Sequence, residues 1–240
     1  MNSPLYIKQT ASTNGLLRQM IRENNLPEGF VLYTDFQSAG KGQMGNSWES
    51  DEGKNLLFSM VLYPKNIAPW EQFLISQLVS LAIKKTLDEY TDGITIKWPN
   101  DIYWHDKKIA GILIENSLQG KNISYTILGI GLNVNQLVFE SDSPNPISLG
   151  QITKKLHDVN SIMEGITQNI LHLYNYLDKQ KIREMYWETM YRKNGIYTFR
   201  VDNQEFKAKL FSVHADGKLE LETVDGQYQG YYFKEVSFII

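Results

Sequence analysis

The sequence predicts an α+β fold, in which a larger unit of strands and helices is followed by a small all-β unit. Three patterns carry that expectation. Between residues 70 and 90 the apolar side chains Trp70, Phe73, Leu74, Leu78, Leu81 and Leu87 recur at helical spacing, with charges on the other side. Three isoleucine-rich alternating runs follow at 93–98, 108–115 and 123–133, the last two separated by the turn signal Gln-Gly-Lys-Asn. After Asn194 and Gly195 come short β segments punctuated by Asp216-Gly217 and Asp225-Gly226. Residues 195–240 are therefore expected to form a small barrel that leans on the unit before it, because so short a segment buries little surface alone.

The remaining elements follow in order. Residues 4–9 read as a strand, and the cluster at 10–14 opens a helix, since Ser and Thr side chains cap the free amides of a first turn. Leu16, Leu17, Met20 and Ile21 supply its apolar face. A β-rich run at 30–36 leads into a glycine-containing loop at 37–48, and 56–63 is another strand. Residues 135–150, which include Pro144 and Pro146, read as irregular. From 152 to about 192 the pattern is helical again, with Ile162, Ile166, Ile170, Leu173 and Leu177 in register.

Composition narrows the function classes. A hydrophobic share of 42% beside 21% charged residues is that of a soluble globular chain. The net charge of -3 gives no overall basic footprint for nucleic acid. Cysteine is absent, so disulfides, thiolate catalysis and thiolate metal sites are excluded, in keeping with a reducing cytoplasm. The first twenty residues lack the basic start and apolar core of a secretory signal. No apolar run approaches the ~20 residues that cross a bilayer, so no membrane role is expected.

Three segments could carry chemistry. In KWPNDIYWHDKKIAGILIE, residues 97–115, Lys97 and Lys108 can each meet a carboxylate or phosphate, and Asn100 offers a planar donor and acceptor pair. The loop QSAGKGQMGNSW, residues 37–48, lets backbone amides approach a bound group, with Lys41 beside them. In LGIGLNVN, residues 128–135, Gly129 and Gly131 share one strand face and leave a flat groove. Each has a plainer reading: a solvated turn, an ordinary glycine loop with Trp48 in the core, and a β-bulge. The four histidines have no metal-ligand spacing, and no metal site is expected.

The order of these segments decides between the readings. STN at 12–14, GKGQMGNSW at 40–48, KWPNDIYW at 97–104, KIAGILIE at 108–115 and GIGLNVN at 129–135 resemble the biotin protein ligases. KWPND followed by KxAGIL is the specific part; lipoate ligases and octanoyl transferases share the fold but not that pairing. The resemblance implies a mixed sheet flanked by helices, related to class II aminoacyl-tRNA synthetases, over 1–192. It further implies an SH3-like β-barrel over 195–240.

It also implies a two-step reaction. Biotin and MgATP, its magnesium held chiefly by the nucleotide, form biotinyl-5'-AMP; a lysine of a biotin carboxyl carrier protein then takes the biotinyl group. By family position, Lys108 touches the biotin carboxylate and the adenylate phosphate, with Lys41 on the loop side. Ser12, Thr13, Asn14, Gln37 and Gly40 meet biotin, and Gly111, Gly129 and Gly131 wall its site. Gln43, Trp48, Asn100 and Asn133, with both lysines, lie toward the nucleotide. Asp101 orients or deprotonates the incoming amine. The alternatives are a lipoate-type ligase or acyl transferase, and a biotin-binding regulatory module without turnover.

Two departures from the family stand out. Many members have arginine where this chain has Gln43 and Asn46, which predicts weaker retention of the adenylate. Some members carry an N-terminal DNA-binding module and repress biotin synthesis genes, whereas this sequence opens at the catalytic segment, so no operator DNA binding is expected. The sequence selects no oligomeric state.

Overall fold

The computed structural model describes residues 3–140 and 145–240, so that Pro144 lies outside the described residues. The chain opens with β1 (Leu5–Thr10), α1 (Thr13–Glu23), β2 (Val31–Gln37) and β3 (Leu56–Leu62). Next come α2 (Phe73–Leu87), β4 (Ile94–Lys97), β5 (Asp101–Trp104), β6 (Lys107–Gln119) and β7 (Asn122–Leu132). These seven strands form one sheet in the order β1-β2-β3-β7-β6-β5-β4, with only β1 and β2 parallel. The expected mixed sheet is therefore present.

Alternation assigns the two faces of the sheet. Leu56, Phe58, Met60, Ile112, Leu128, Ile130 and Leu132 point into the larger core, against α2 and the later helices. Val61 and Ile127 point the other way and pack with Leu17 of α1 and Leu32. The glycines of β6 and β7 lie on this second face, beyond the N-terminus of α1. That is where the cleft forms.

Helix α2 departs from the amphipathic reading. It is buried almost all round, with Ser76, Gln77 and Ser80 enclosed and its lysines confined to the last turn. It is a middle layer, with the sheet on one side and α4 (Val159–Asn175) and α5 (Lys179–Glu188) on the other. The helical stretch expected from 152 to 192 is likewise three helices, beginning with α3 (Leu149–Thr153). The breaks fall at Asp158 and Asp178, whose side chains accept from backbone amides of the next helix and so begin new ones.

An acidic anchor fixes α5. Glu71, just before α2, pairs with Lys179 at 2.6 Å and Arg183 at 2.7 Å, and these partners hold its carboxyl below the usual carboxylate range. A lowered folded pKa gives stability that is complete above the ordinary carboxylate value and lost as pH falls through the folded one. Glu71→Gln should therefore lower the urea midpoint at neutral pH and flatten its acid-side slope.

The C-terminal unit comprises β8 (Tyr197–Val201), β9 (Gln204–Val213), β10 (Leu219–Thr223), β11 (Tyr228–Tyr231) and β12 (Ser237–Phe238), in the order β11-β10-β9-β8-β12. It is an open antiparallel sheet, not the closed barrel that the turn pattern suggested, because β11 and β12 are its edges and do not pair. Packing on the larger unit does the work of closure: Trp98 Nε1 donates to the Gly217 carbonyl at 2.9 Å, and Trp98 meets Phe233 edge-on. Phe199, Leu219 and Leu221 consequently belong to the same apolar core as α2.

Candidate active site

A cleft of about 800 Å³ opens on the α1 face of the large sheet. Its floor is made by glycines. Gly111 and Gly131 are directly paired across β6 and β7, and Gly129 sits two residues along. A Cβ on Gly131 would come within 2.5 Å of the Trp48 ring, and one on Gly111 within 2.9 Å. The indole thus lies against bare backbone, and its Nε1 is buried without a hydrogen-bond partner. A Cβ on Gly129 would meet Asn14 Oδ1 at 2.4 Å, so these positions require glycine for space, not for an unusual φ.

A β-bulge aims Lys108 into the cleft. On β6, Gly111, Leu113 and Glu115 face the cleft side, so simple alternation would turn Lys108 into the core. The register with β5 shifts between Ile102 and Tyr103: Ile102 pairs with Ala110 and Tyr103 with Lys108, leaving Ile109 as the extra residue. Ile109 is therefore fully buried, and Lys108 joins Gly111 on the cleft face. The segment that begins at Asn145 secures it, since Lys108 N donates to Asn145 O and Ile147 N to Lys108 O, both at 2.9 Å.

Lys108 Nζ pairs with Asp101 Oδ1 at 2.7 Å and lies 5.6 Å from the centre of a Trp48 ring. The Asp101 side chain is 17% exposed, so the pair is mostly shielded from water, where charge interactions gain strength. Asp101 follows a cis Trp98–Pro99 peptide, and Ser76 of α2 donates to the next carbonyl, Pro99 O, at 3.2 Å. Asn100 and Asn133 also line the cleft. Their amide groups, however, already donate to Ile112 O at 2.5 Å and Ile147 O at 3.1 Å, which ties the turn and the segment around Ile147 to the floor.

At the other end a buried polar network meets the N-terminus of α1. Gln37 Oε1 accepts from Thr13 N at 2.7 Å and from Thr13 Oγ1 at 3.1 Å. Ser59 lies within hydrogen-bond distance of both Thr13 Oγ1 and Asn14 Oδ1, while Asn14 Nδ2 donates to Glu115 at 2.8 Å. Glu115 is held in turn by Arg18 at 2.5 Å. Ser12 is the N-cap, yet its side chain makes no capping bond, contrary to the expectation for the 10–14 cluster. Its hydroxyl is left to the cleft it lines.

Nearly all the residues named from sequence converge on this one cleft: Ser12, Thr13, Asn14, Gln37, Lys41, Gln43, Trp48, Asn100, Asp101, Lys108, Gly111, Gly129, Gly131 and Asn133. Gly40 does not line it. A Cβ there would press on the Trp48 carbonyl at 2.8 Å, so this glycine closes the loop behind the cleft. Lys41 is exposed at the rim, bridged to Ser47 across the loop. Sequence reasoning missed Ser59 and Glu115, as well as Phe139, Glu140, Pro146 and Phe233 on the walls. A lone serine in the apolar run LLFSMVL was the one available signal for Ser59.

The profile of the Biotin/lipoate A/B protein ligase family matches residues 6–133, which contain the floor, the bulge and the α1 network. The chain belongs to this family. It is 30% identical over 242 residues to the bifunctional ligase/repressor BirA of Bacillus spizizenii, covering 94% of this chain and 71% of that one. The human biotin--protein ligase is 34% identical over 137 residues, 54% of this chain and 19% of that one. Among solved structures, the biotin protein ligase of Aquifex aeolicus in complex with biotin and ATP superposes with a TM-score of 0.79 at 25% identity. That match covers 99% of this chain and 98% of the other. No helix among the described residues is long and apolar enough to cross a membrane.

Proposed function

We infer that this family member is an ATP-dependent biotin protein ligase. The observation that carries the reading is the Lys108–Asp101 pair, set by the bulge at one end of a glycine floor whose other end is the Thr13–Gln37 network. A bicyclic urea needs fixed donors and acceptors at one end of a flat slot, and its carboxylate needs a cation at the other. The same cation serves the phosphate, because two anions approach only if their charge is taken up.

In the first step a biotin carboxylate oxygen attacks the α-phosphorus of MgATP. A P–O bond forms, the bond to the β-phosphate oxygen breaks, and pyrophosphate leaves. Lys108 and Lys41 hold the converging anions, with Ser12, Thr13, Asn14 and Gln37 on the ring of biotin. Gln43, Trp48, Asn100 and Asn133 face the nucleotide side. In the second step a lysine amine of a carrier protein attacks the acyl carbon, the C–O bond to AMP breaks, and Asp101 takes the amine proton. Residues 1–192 would form the catalytic unit and 195–240 an appended domain. The carrier is a biotin carboxyl carrier protein, and the location is cytoplasmic.

Release of pyrophosphate from ATP on addition of biotin, but not of lipoate, supports the reading; release with lipoate alone moves the chain to the lipoate branch of the family. Gln43 can hydrogen-bond a phosphate but carries no charge, so the adenylate should escape readily. Gln43→Arg should slow its release about tenfold, equal to one charged contact of ~1.4 kcal/mol. Equal release rates in a rapid-dilution assay would remove this account of Gln43.

A further inference from the structure

Lys97 stands outside the cleft yet inside its charge arrangement. It ends β4 as the cross-strand partner of Asp101, which places both on the same face of the sheet. Its ammonium lies 5.2 Å from the ring centre of Tyr103 and 5.1 Å from that of Phe238, the latter contributed by the C-terminal sheet. Lys97 does not line the cleft, whereas Asp101 and Lys108 both do. Charge thus alternates along Lys97, Asp101 and Lys108 toward the cleft, with Lys97 half-buried at the far end.

The groups facing Lys97 are Tyr103 and Asp101 from β5, Lys108 from β6 and Arg192 beyond α5. Behind them Tyr191 donates to Asp106, and Arg192 lies 3.7 Å from the same carboxylate. From the C-terminal sheet the uncharged Phe238 ring faces Lys97. Burial pushes the Lys97 ammonium below its ordinary value, Asp101 pulls it back, and Lys108 and Arg192 lower it again. Desolvating a cation is costly, and a methionine would fill a similar space without that cost. The charge therefore calls for a use.

We propose that Lys97 is a positioning residue for the transfer step, holding the Asp101 carboxylate in place when Lys108 turns to the substrate anions. This rests on the ligase reading of the cleft. In the free enzyme Asp101 has Lys108 at 2.7 Å. Once a carboxylate and a phosphate arrive, Lys108 is shared with them, and their negative charge repels Asp101. A second cation on the side away from the substrate, partly covered by two aromatic rings, opposes that displacement.

The test uses the full chain, with Lys97→Met and Lys97→Arg, and measures two rates across pH. These are biotin-dependent pyrophosphate release, and transfer from preformed biotinyl-5'-AMP to a carrier domain. Lys97→Met should lower transfer about tenfold more than release, the scale of a misplaced group. Lys97→Arg, which keeps its charge at high pH, should retain most transfer and carry it to more alkaline pH than the unaltered chain. Equal losses in both rates for Lys97→Met, or an unmoved alkaline limb for Lys97→Arg, would overturn the proposal. Absence of biotin-dependent release by the unaltered chain would overturn the ligase reading as well.

Discussion

Lys108→Ala should lower biotin-dependent pyrophosphate release by at least about a hundredfold, ~3 kcal/mol of barrier, the scale of removing one preorganised charge donor from a developing anion. The geometry gives two reasons. Lys108 is the cation that the bulge at Ile109 places beside the glycine floor, and Asp101 loses the partner now at 2.7 Å. Asp101 would then present an unpaired carboxylate to the entering substrate carboxylate. For that reason Asp101→Asn in the Lys108→Ala background should recover part of the binding but little of the rate, a non-additivity expected of groups in direct contact. Lys108→Arg should restore only a fraction, because a planar fork does not place its charge where a compact ammonium does.

Gly131→Ala should be nearly as damaging, although it changes no polar group. The new Cβ would lie 2.5 Å from Trp48 Cε2 and 2.8 Å from Nε1, so the indole must leave its seat. Overpacking of this kind costs about 1–3 kcal/mol, which corresponds to roughly fivefold to 150-fold in the apparent affinity for biotin or ATP. Titration calorimetry would read it directly. If the clash with Trp48 is the cause, adding Trp48→Ala to Gly131→Ala should cost little more. Fully additive losses would mean that the floor, not the indole, is what matters.

How far the site could be read from sequence depended on whether its parts were local. The Trp-Pro-Asn-Asp turn and the glycine pairs announce themselves, because proline and glycine constrain the backbone wherever they stand. Lys108 was identifiable as a candidate, but its direction was not: it is set by a register shift against β5, a property of two strands together. Ser59, Asn14 and Glu115 come from β3, α1 and β6, and their hydrogen bonds span 45 to 101 residues. No local pattern encodes that network.

The fold follows the same division. Six of the seven strands of the large sheet and the order of the helices were legible in outline from alternation and helical spacing; β5 was not among them. Helix α2 looked amphipathic because charges flank its apolar residues, yet it is enclosed between the sheet and the layer of α4 and α5, with Ser76, Gln77 and Ser80 buried. Ser76 is polar because it holds Pro99 O, and with it the turn that carries Asp101. The C-terminal turns predicted strands correctly but not their closure, since the face that a barrel would seal is sealed by Trp98, Phe73 and Tyr191 of the larger unit.

The most direct test of the ligase assignment is transfer of labelled biotin to a biotin carboxyl carrier domain. Incubation with this chain, ATP and magnesium should place label on the carrier. No label should appear without ATP, or when the carrier's acceptor lysine is replaced by arginine. A carrier that stays unlabelled under the complete conditions, or that is modified by lipoate in place of biotin, would contradict the assignment.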